Sequence, residues 1–560
     1  MGIRPPSDNT FDYIVIGAGT AGGVIAKKLT DDKKTSVLVL EAGTNMPNKS
    51  PSLETASIVA NDNILSFNAF SAIEENIGRQ LKLASGRVIG GSSQHNFMYA
   101  VRGSRNLYDE WANLFGNQWS YEKVRTLFKQ NETYTGETQN PSERGTDGPI
   151  FIRQQRIPNR GIVYSLAQAA SDVLNIPIVE DYNTGIRDCT FFKSQFIQRE
   201  VNGRFARSST TTGYLNRKIV TQGNEFESDE VGVGQRKLLI FAKTTVNKIL
   251  FRRKKRTNIA VGVEFVRDGS SQRAFARKGI IVSAGIFSST ILQRSGIGRT
   301  EELSKAGIST LVESPYVGHN LRTHYAIAMG VEVETSRLTQ VLSADPDQPV
   351  ALGAFKKDRG PGRRLQIIGL PLPIFIPAQD IFVNQWQFNP AKRSNIMSLA
   401  ILDVNPQSTG SITIAHSDPE AYPLIRFNPL EDPDDLDFAV DQLIETFEIM
   451  RRAREIDPGG IYKVVYPPEN IFHLANENEK RNLLANYVKA SYVNFTHFGG
   501  TCRMGRNIRE GVVDGFLNVF GTKNLKVADL SITPFLPDGN PSAAAQMIGL
   551  NAVRFIRANK

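Results

Sequence analysis

Hydrophobic and polar positions between residues 11 and 41 follow the order strand, helix, strand. FDYIVIG (11–17) is a short apolar run, AGGVIAKKLTDD (21–32) repeats apolar residues at helical spacing, and VLVLE (37–41) is a second apolar run. A helix that connects two apolar strands is typical of a parallel sheet. The pattern therefore predicts a βαβ unit near the beginning of the chain.

A second architecture follows further along the chain. Short β-like runs between 330 and 430, such as SLAILDV (398–404), predict a largely antiparallel sheet. Apolar residues every three to four positions over 434–456 predict a long helix that stops at Pro458 and Gly459. The polar segment 221–235 is expected to be an exposed insertion. Together these patterns predict an α/β protein of more than one domain.

Composition excludes several classes of protein. The 560 residues carry a formal charge of +10, but the one dense basic run, RRKKR (252–256), lies between two strand-like segments and predicts a hairpin turn rather than a nucleic-acid site. Two cysteines, Cys189 and Cys502, are too few for a disulfide framework or a four-cysteine metal site. We expect neither a metal site nor a nucleic-acid partner.

No stretch reaches the ~20 apolar residues of a membrane helix, and the N-terminus has no apolar signal segment. We therefore expect no stable membrane insertion and a cytoplasmic location. The most apolar run, IIGLPLPIFIPAQDIF (367–382), is interrupted by prolines. It predicts either a hydrophobic pocket or lid, or a buried strand and turn.

Three glycines in the turn after the first strand form a dinucleotide fingerprint. Gly17 permits the turn, Gly19 lets the backbone approach a pyrophosphate, and Gly22 lets the helix pack on the strand. The helix N-terminus then faces the phosphates. Glu41, at the end of the second strand, is placed to accept hydrogen bonds from ribose hydroxyls. The fingerprint predicts a dinucleotide site and does not distinguish FAD from NAD.

Six later stretches, in order along the chain, resemble the glucose-methanol-choline (GMC) family of FAD-dependent oxidoreductases. They are GRVIGGSSQHN (86–96), RSSTTTGYL (207–215), SAGIFSSTILQRSGIG (283–298), VGHNLRTH (317–324), STGSITIAHSDPEAYPLIRFNPL (408–430), and HFGGTCRMG (497–505) with VADLSITPFLPDGNPSAAAQM (527–547). Three features depart from the family pattern. His95 replaces an aliphatic residue, Thr323 replaces an aspartate, and the third stretch lacks a proline and is one residue short.

The resemblance implies a Rossmann-like FAD-binding domain and a discontinuous substrate domain, the latter built on an antiparallel sheet flanked by helices. The FAD-binding domain is expected at 10–155, 205–315 and 490–560, and the substrate-binding domain at 156–204 and 316–489. Val246 is expected to contact adenine through its backbone, and Asp529 to lie near the pyrophosphate and ribityl chain. The residues that the resemblance assigns to FAD are Gly17, Gly19, Thr20, Ala21, Gly22, Glu41, Ala42, Arg87, Gly90, Gly91, His95, Asn96, Phe97, Met98, Val246, Asp529, Pro541 and Ser542.

Oxidation of an alcohol removes a proton from oxygen and a hydride from carbon. Histidine titrates near neutrality and suits the role of base, and the resemblance selects His497 from the six histidines of the chain. It assigns the second catalytic position to Asn540, whose amide can donate a hydrogen bond to the substrate oxygen. His319 and His324, in VGHNLRTH, are expected to be structural.

His95 has three interpretations. It is a chance substitution, a contact to the substrate, or the point of covalent attachment of the flavin through its 8α-methyl group. The third resembles the choline-oxidase and pyranose-dehydrogenase branches, in which a His-Asn pair follows the same Gly/Ser run and the histidine carries the flavin. Phe97 stands where choline oxidase has a serine, so choline specificity is not supported.

The resulting expectation is an FAD-dependent oxidase or dehydrogenase. It would oxidise a primary alcohol, aliphatic or aryl, and pass electrons to oxygen or another acceptor, as a monomer or homodimer. Two alternatives stay open from the residues. One is a hydroxynitrile lyase of the same fold that uses FAD without redox turnover, and the other is a flavin-binding protein with no catalytic role.

Overall fold

A computed structural model of the chain describes residues 9–45, 62–157, 161–222, 229–345, 347, 352–357, 363–371 and 395–558. The helices of this part are α1 Gly22–Leu29, α2 Arg105–Phe115, α3 Tyr121–Asn131, α4 Ile162–Leu174, α5 Thr210–Gly213, α6 Ser288–Arg294, α7 Thr300–Lys305, α8 Thr335–Ala344, α9 Pro433–Ile456, α10 Glu477–Ser491 and α11 Ser542–Ala558. Its strands are β1 Thr10–Ile16, β2 Val37–Leu40, β3 Ser66–Phe70, β4 Lys82–Gly86, β5 Glu132–Thr135, β6 Ile150–Gln154, β7 Cys189–Phe191, β8 Gln195–Phe196, β9 Gln198–Val201, β10 Arg204–Arg207, β11 Glu230–Val231, β12 Leu238–Phe241, β13 Thr244–Lys254, β14 Thr257–Arg267, β15 Ser270–Val282, β16 Ile297–Gly298, β17 Val312–Glu313, β18 His319–Leu321, β19 Tyr325–Val333, β20 Leu352–Lys357, β21 Arg364–Leu370, β22 Ile396–Val404, β23 Gly410–Thr413, β24 Leu424–Arg426, β25 Ile461–Tyr466, β26 Val493–Asn494, β27 Thr522–Lys523 and β28 Leu525–Val527.

A nine-stranded sheet carries the predicted βαβ unit. Its order is β11-β12-β2-β1-β15-β14-β13, with β28 beside β15 and β27 beside β14. The strand β1 runs parallel to both β2 and β15. All four residues of β2 are buried, as expected for a parallel strand covered on both faces. The βαβ prediction is confirmed.

A seven-stranded antiparallel sheet forms the second layer, in the order β25-β19-β22-β21-β20-β7 with β26 beside β19. Its alternate residues face opposite sides, as the strand repeat requires. In β19, Ile327 and Met329 join the core that contains α4 and α9, whereas Ala326 and Ala328 join a second cluster with Phe495. The long helix predicted for 434–456 is confirmed by α9.

Two local predictions have different outcomes. RRKKR forms the tip of the β13–β14 hairpin, as predicted. The segment 221–235 is only in part an exposed insertion, because β11 pairs with β12 at the edge of the nine-stranded sheet. Buried Glu230 anchors it by accepting a hydrogen bond from Thr221 Oγ1 at 2.9 Å. Residues 223–228 lie outside the described part.

The apolar run at 367–382 is described only through residue 371, where Ile367–Leu370 belongs to β21. Its interpretation as a lid or pocket falls on residues outside the described ranges. The division into FAD-binding and substrate-binding domains remains our proposal. We note that β26, just after the proposed boundary at 490, pairs with β19 in the seven-stranded sheet. Among the helices described, none combines the length and apolar character required to cross a bilayer.

Candidate active site

The glycines of the fingerprint allow three backbone segments to meet at the carboxyl end of β1. Gly17 has φ +98°, and a Cβ there would lie 2.5 Å from the Ser283 carbonyl oxygen. A Cβ on Gly22 would overlap the carbonyl of Gly17. A Cβ on Gly91, which has φ +55°, would lie 2.7 Å from the Gly19 Cα. Two glycine loops therefore lie directly against each other, and no side chain separates them.

The same loops leave donors available to an anion. The first turn of α1 has neither a side-chain cap nor an acidic residue, so its N–H groups can meet a phosphate. Glu41 accepts hydrogen bonds from Ala18 N at 2.7 Å and Gly43 N at 2.9 Å. Each carboxylate oxygen keeps a second lone pair for a ribose hydroxyl. Burial raises the pKa of Glu41 above its ordinary value, and this region fits the dinucleotide half of FAD.

One cavity is lined by both catalytic candidates and by all but two of the residues that the resemblance assigns to FAD. Gly22 and Gly90 lie outside its lining. At Gly90 a Cβ would overlap Thr211 Oγ1, so both glycines serve close packing behind the cavity wall. The predicted residues on the wall are Gly17, Gly19, Thr20, Ala21, Glu41, Ala42, Arg87, Gly91, His95, Asn96, Phe97, Met98, Val246, Asp529, Pro541, Ser542, His497 and Asn540.

Asp529 holds two loops of this wall together. Its carboxylate accepts hydrogen bonds from Ser288 Oγ at 2.6 Å, Gly285 N at 2.9 Å and Ser531 N at 2.8 Å. Burial raises the pKa of Asp529 to about 6, against the lowering effect of these donors. Asp529 lines the cavity, and its hydrogen bonds hold the neighbouring loops in place.

Arg207 fixes the loop that contains His95 and Asn96. Its guanidinium donates hydrogen bonds to Asn96 Oδ1 at 2.5 Å, Asn96 O at 2.7 Å and Ser93 O at 3.1 Å. Asn96 Oδ1 also accepts from Met98 N at 3.1 Å, where Met98 has φ +60°. Arg207 begins the family-like stretch RSSTTTGYL, which by itself indicates no role for this residue. Its partners lie more than a hundred residues away along the chain.

His95 follows the 3₁₀ turn Gly91–Gln94 and faces the cavity, with 7% of its surface exposed. Its Nε2 is buried and has no hydrogen-bond partner among the described residues. Burial, with a smaller contribution from the Arg207 guanidinium, lowers the pKa of His95 to about 4. A buried polar atom without a partner is rare in proteins. The neutral ring with its unpartnered Nε2 therefore fits a group that would occupy this cavity.

His497 is the centre of a chain of polar side chains. Its Nε2 lies 3.2 Å from Asn540 Nδ2, and its Nδ1 lies 2.9 Å from His324 Nδ1. On the far side, Asn540 Oδ1 accepts a hydrogen bond from Gln366 Nε2 at 3.0 Å. His497 and Asn540 line the cavity, as expected.

These contacts favour one tautomer of neutral His497. An amide nitrogen only donates, so the contact with Asn540 Nδ2 requires an unprotonated Nε2 on His497. The proton of the neutral ring is then on Nδ1 and is donated to His324 Nδ1. His324 carries its own proton on Nε2. The free lone pair of a base is thus directed toward the amide of Asn540.

His324 therefore contacts the candidate base directly, although it lies outside the cavity lining and the sequence favoured a structural role for it. It lies 173 residues before His497, and its motif ends at the start of β19, which pairs with β26 three residues before His497. The motif VGHNLRTH already contained this histidine. Nothing in the spacing of the two motifs indicated that β19 and β26 would bring their histidines together.

Burial keeps both histidines neutral. It lowers the pKa of His497 to about 3, and it lowers the pKa of His324 well below the ordinary value, with a further contribution from His497. A cation formed at this position needs compensation by a nearby negative charge. Such a site suits a base that takes up a proton only as an anion forms beside it.

This pKa predicts a pH-dependent effect of replacing His497. Below the ordinary pKa of 6.5 the unfolded chain binds a proton at this position, whereas the folded protein does not until about pH 3. Acid therefore favours the unfolded state through His497. We expect His497→Gln to gain stability relative to the parent by about 1.4 kcal/mol per pH unit between roughly pH 6 and pH 4.

The measurement is thermal unfolding of both proteins across this range, with His473→Gln as the control. The side chain of His473 is 62% exposed, so its replacement should change stability far less across this range than the replacement of buried His497. A constant difference between His497→Gln and the parent from pH 8 to pH 4 would contradict the buried neutral state.

A glycine cradle suited to a dinucleotide and a histidine–amide pair line one cavity, an arrangement that fits a cofactor-dependent oxidoreductase. Family models described as GMC oxidoreductase match residues 11–326 and 406–549. The chain belongs to the GMC oxidoreductase family. This confirms the predicted class, an FAD-dependent oxidoreductase that acts on CH–OH donors.

Relatives extend over nearly the whole chain. An uncharacterised GMC-type oxidoreductase of Mycobacterium bovis is 29% identical, with coverage of 98% of this chain and 100% of the relative. An oxygen-dependent choline dehydrogenase of Brucella anthropi is 28% identical, with coverage of 97% and 94%. Among solved structures, pyridoxine 4-oxidase from Mesorbium loti superposes with a TM-score of 0.79 at 22% identity and covers 97% of this chain and 98% of that one. This last similarity supports the fold.

Proposed function

We propose that this protein oxidises a primary alcohol, aliphatic or aryl, to the aldehyde. The observation that carries the proposal is the pairing of His497 Nε2 with Asn540 Nδ2 at 3.2 Å. Both residues line the same cavity as the glycine cradle. The choline dehydrogenase among the relatives acts, by its name, on a primary alcohol, which agrees with the proposed substrate class.

In the proposed reaction, His497 and Asn540 divide the work on the substrate hydroxyl. The alcohol donates its O–H to His497 Nε2, and its oxygen accepts a hydrogen from Asn540 Nδ2. Asn540 Oδ1 is already bonded to Gln366, so the amide presents its N–H groups to the site. A fixed donor of this kind stabilises the alkoxide as it forms. Bound FAD would accept the hydride at flavin N5.

His324 supports the base from the other side. Once Nε2 of His497 takes the proton, Nδ1–H still donates to His324 Nδ1, so the cation keeps its hydrogen bond in the buried site. The alkoxide supplies the negative charge that offsets the cation. This arrangement reconciles a resting pKa of about 3 with the role of a base.

We also propose that FAD is attached covalently through His95. The unpartnered Nε2 and the depressed pKa leave the ring neutral and nucleophilic. In the net reaction an N–H bond of His95 and a C–H bond of the 8α-methyl group are replaced by an N–C bond. Two protons and two electrons are released, and the electron acceptor of the enzyme would remove the electrons. The remaining residues on the cavity wall would hold FAD without covalent bonds.

No specific observation favours a hydroxynitrile lyase. The characterised relatives named above are a dehydrogenase and an oxidase, and the histidine–amide pair supplies the base and donor that alcohol oxidation needs. Neither feature favours a flavin protein without catalytic activity.

A panel of aliphatic, aryl and furan alcohols tests the proposal. We expect the purified protein to be yellow and one or more alcohols to bleach the bound flavin without oxygen, with the matching aldehyde formed in equal amount. Repeating the measurement in air tests oxygen as acceptor, because the colour then returns. A flavin that stays oxidised while a cyanohydrin is cleaved would favour the lyase, and no reaction with either would contradict both.

A further inference from the structure

The strand β21 holds the catalytic turn of Asn540 at two points. Arg364 and Gln366 are two positions apart and lie on the same face of the strand. Arg364 Nη1 donates to Asp538 O at 3.1 Å and forms an ion pair with the Asp538 carboxylate at 3.3 Å. Gln366 Nε2 donates to Asn540 Oδ1 at 3.0 Å. Arg364 and Gln366 thus bind Asp538 and Asn540, which are likewise two positions apart.

Gln366 is wholly buried in an apolar layer. Its relative exposure is 0%, and its neighbours across the sheet are Phe355 on β20 and Leu402 on β22. Both neighbours belong to the hydrophobic cluster that also contains Phe495. A polar amide in such a layer is costly unless it is hydrogen-bonded. Its recorded side-chain partner is Asn540.

The direction of this bond decides which end of the Asn540 amide reaches His497. With Gln366 Nε2 on Asn540 Oδ1, the donor end of Asn540 faces His497, and Gln366 Oε1 is left without a partner among the described residues. If both amides were reversed, two N–H groups of Gln366 would be buried at that position instead. Buried donors without partners are rarer than under-satisfied carbonyls. The first arrangement is therefore favoured.

We propose that Gln366 is a positioning residue that orients the Asn540 amide with its N–H groups toward His497 and the alcohol. The proposal rests on the function proposed above and adds a residue that touches neither substrate nor cofactor. Without the bond from Gln366, Asn540 can turn its carbonyl toward the site. A carbonyl there repels the alkoxide and competes for the proton that His497 removes.

Two substitutions separate orientation from packing. In Gln366→Glu the carboxylate accepts from Asn540 Nδ2 and reverses the amide, so we expect flavin reduction to slow by about 10²-fold, as for loss of an alkoxide donor. In Gln366→Leu the amide is free to turn, and we expect a smaller loss of about two- to tenfold, the effect of one hydrogen bond. Both losses should fall on the reduction rate constant rather than on KM.

The pH profile of Gln366→Glu provides a readout that a packing defect would not change. Burial raises the pKa of a carboxyl group, and once protonated it donates to Asn540 Oδ1 and restores the parent orientation. The charged groups that we find facing this position are Arg364 with Asp538, the neutral ring of His497 lies beyond Asn540, and β20 and β22 present Phe355 and Leu402. We expect the Gln366→Glu rate to rise from about pH 8 to about pH 5, with no such rise in the parent.

A second readout is independent of activity. The chain has six histidines, so ¹⁵N-histidine labelling can follow His497 in the flavin-loaded protein without substrate. In the parent, Nε2 should show the shift of an unprotonated nitrogen. In Gln366→Glu at pH 8 it should show that of a protonated nitrogen, because it then faces the carbonyl of Asn540 and the proton moves to Nε2.

Tyr466→Phe is the matched control, because it removes a buried hydrogen bond of the same sheet, from Tyr466 to Ser398 at 2.8 Å, away from the cavity lining. Its flavin should be reduced at the parent rate.

Equal losses of rate in Gln366→Glu and Gln366→Leu with parallel pH profiles would overturn the positioning role. Parent rates in both variants would overturn it as well. If Asn540→Ala also reacts at the parent rate, the proposed function itself fails, whereas a slow Asn540→Ala beside a normal Gln366→Glu overturns only this inference.

Discussion

Replacing His497 with alanine is expected to slow flavin reduction by the alcohol by about 10² to 10⁴-fold, the usual range for loss of a general base. The side chain supplies the Nε2 lone pair that faces Asn540 at 3.2 Å. Its loss also leaves His324 Nδ1 without the contact at 2.9 Å. Stopped-flow absorbance of the flavin without oxygen measures the rate constant directly.

The control for this variant is His473→Ala. That side chain is 62% exposed and lies outside the cavity lining, so we expect the parent rate. The yellow colour of His497→Ala should stay close to that of the parent at pH 8. Reduction of His497→Ala at the parent rate would mean that the base is another group.

Replacing His95 with alanine is expected to release the flavin on denaturation. If His95 is the point of attachment, acid precipitation of the parent leaves the yellow colour in the pellet. In His95→Ala the pellet should be colourless, with FAD in the supernatant. The loop should still fold, because Arg207 holds Asn96 through hydrogen bonds at 2.5 and 2.7 Å, and the variant should bind FAD before denaturation.

His319→Ala is the matched control, because His319 pairs with Glu302 at 2.9 Å outside the cavity lining. Its pellet should stay yellow. A colourless pellet from the parent, with all FAD in the supernatant, would remove the covalent link from the proposal. A yellow pellet from His95→Ala would move the link to another residue.

Much of the fold could be predicted because its signals are local. The βαβ unit and α9 each lie within one continuous stretch, so strand and helix periodicity show directly in the residues. The edge strand β11 was missed for the opposite reason. Its two residues pair with β12 inside a polar segment, and only the neighbouring strand makes that pairing favourable.

The residues of the site likewise divide into those that local sequence predicts and those that it does not. The glycine turn and Glu41 are close along the chain, and their roles follow from backbone sterics and charge. His497 was found through resemblance to a family. Its partner His324 directly precedes β19 and Gln366 lies on β21, far from Asn540 along the chain, and no local pattern linked them to Asn540.

By itself the sequence determined the class of this protein: a dinucleotide turn, a histidine and an asparagine in family-like segments, and the unusual His95 after the Gly-Gly-Ser-Ser run. Only the tertiary structure decided how these groups are set for chemistry. The tautomer of a histidine and the direction of an amide depend on which atom lies about 3 Å away. The packing of β19, β21 and β26 against the turn that contains Asn540 determines which atom that is.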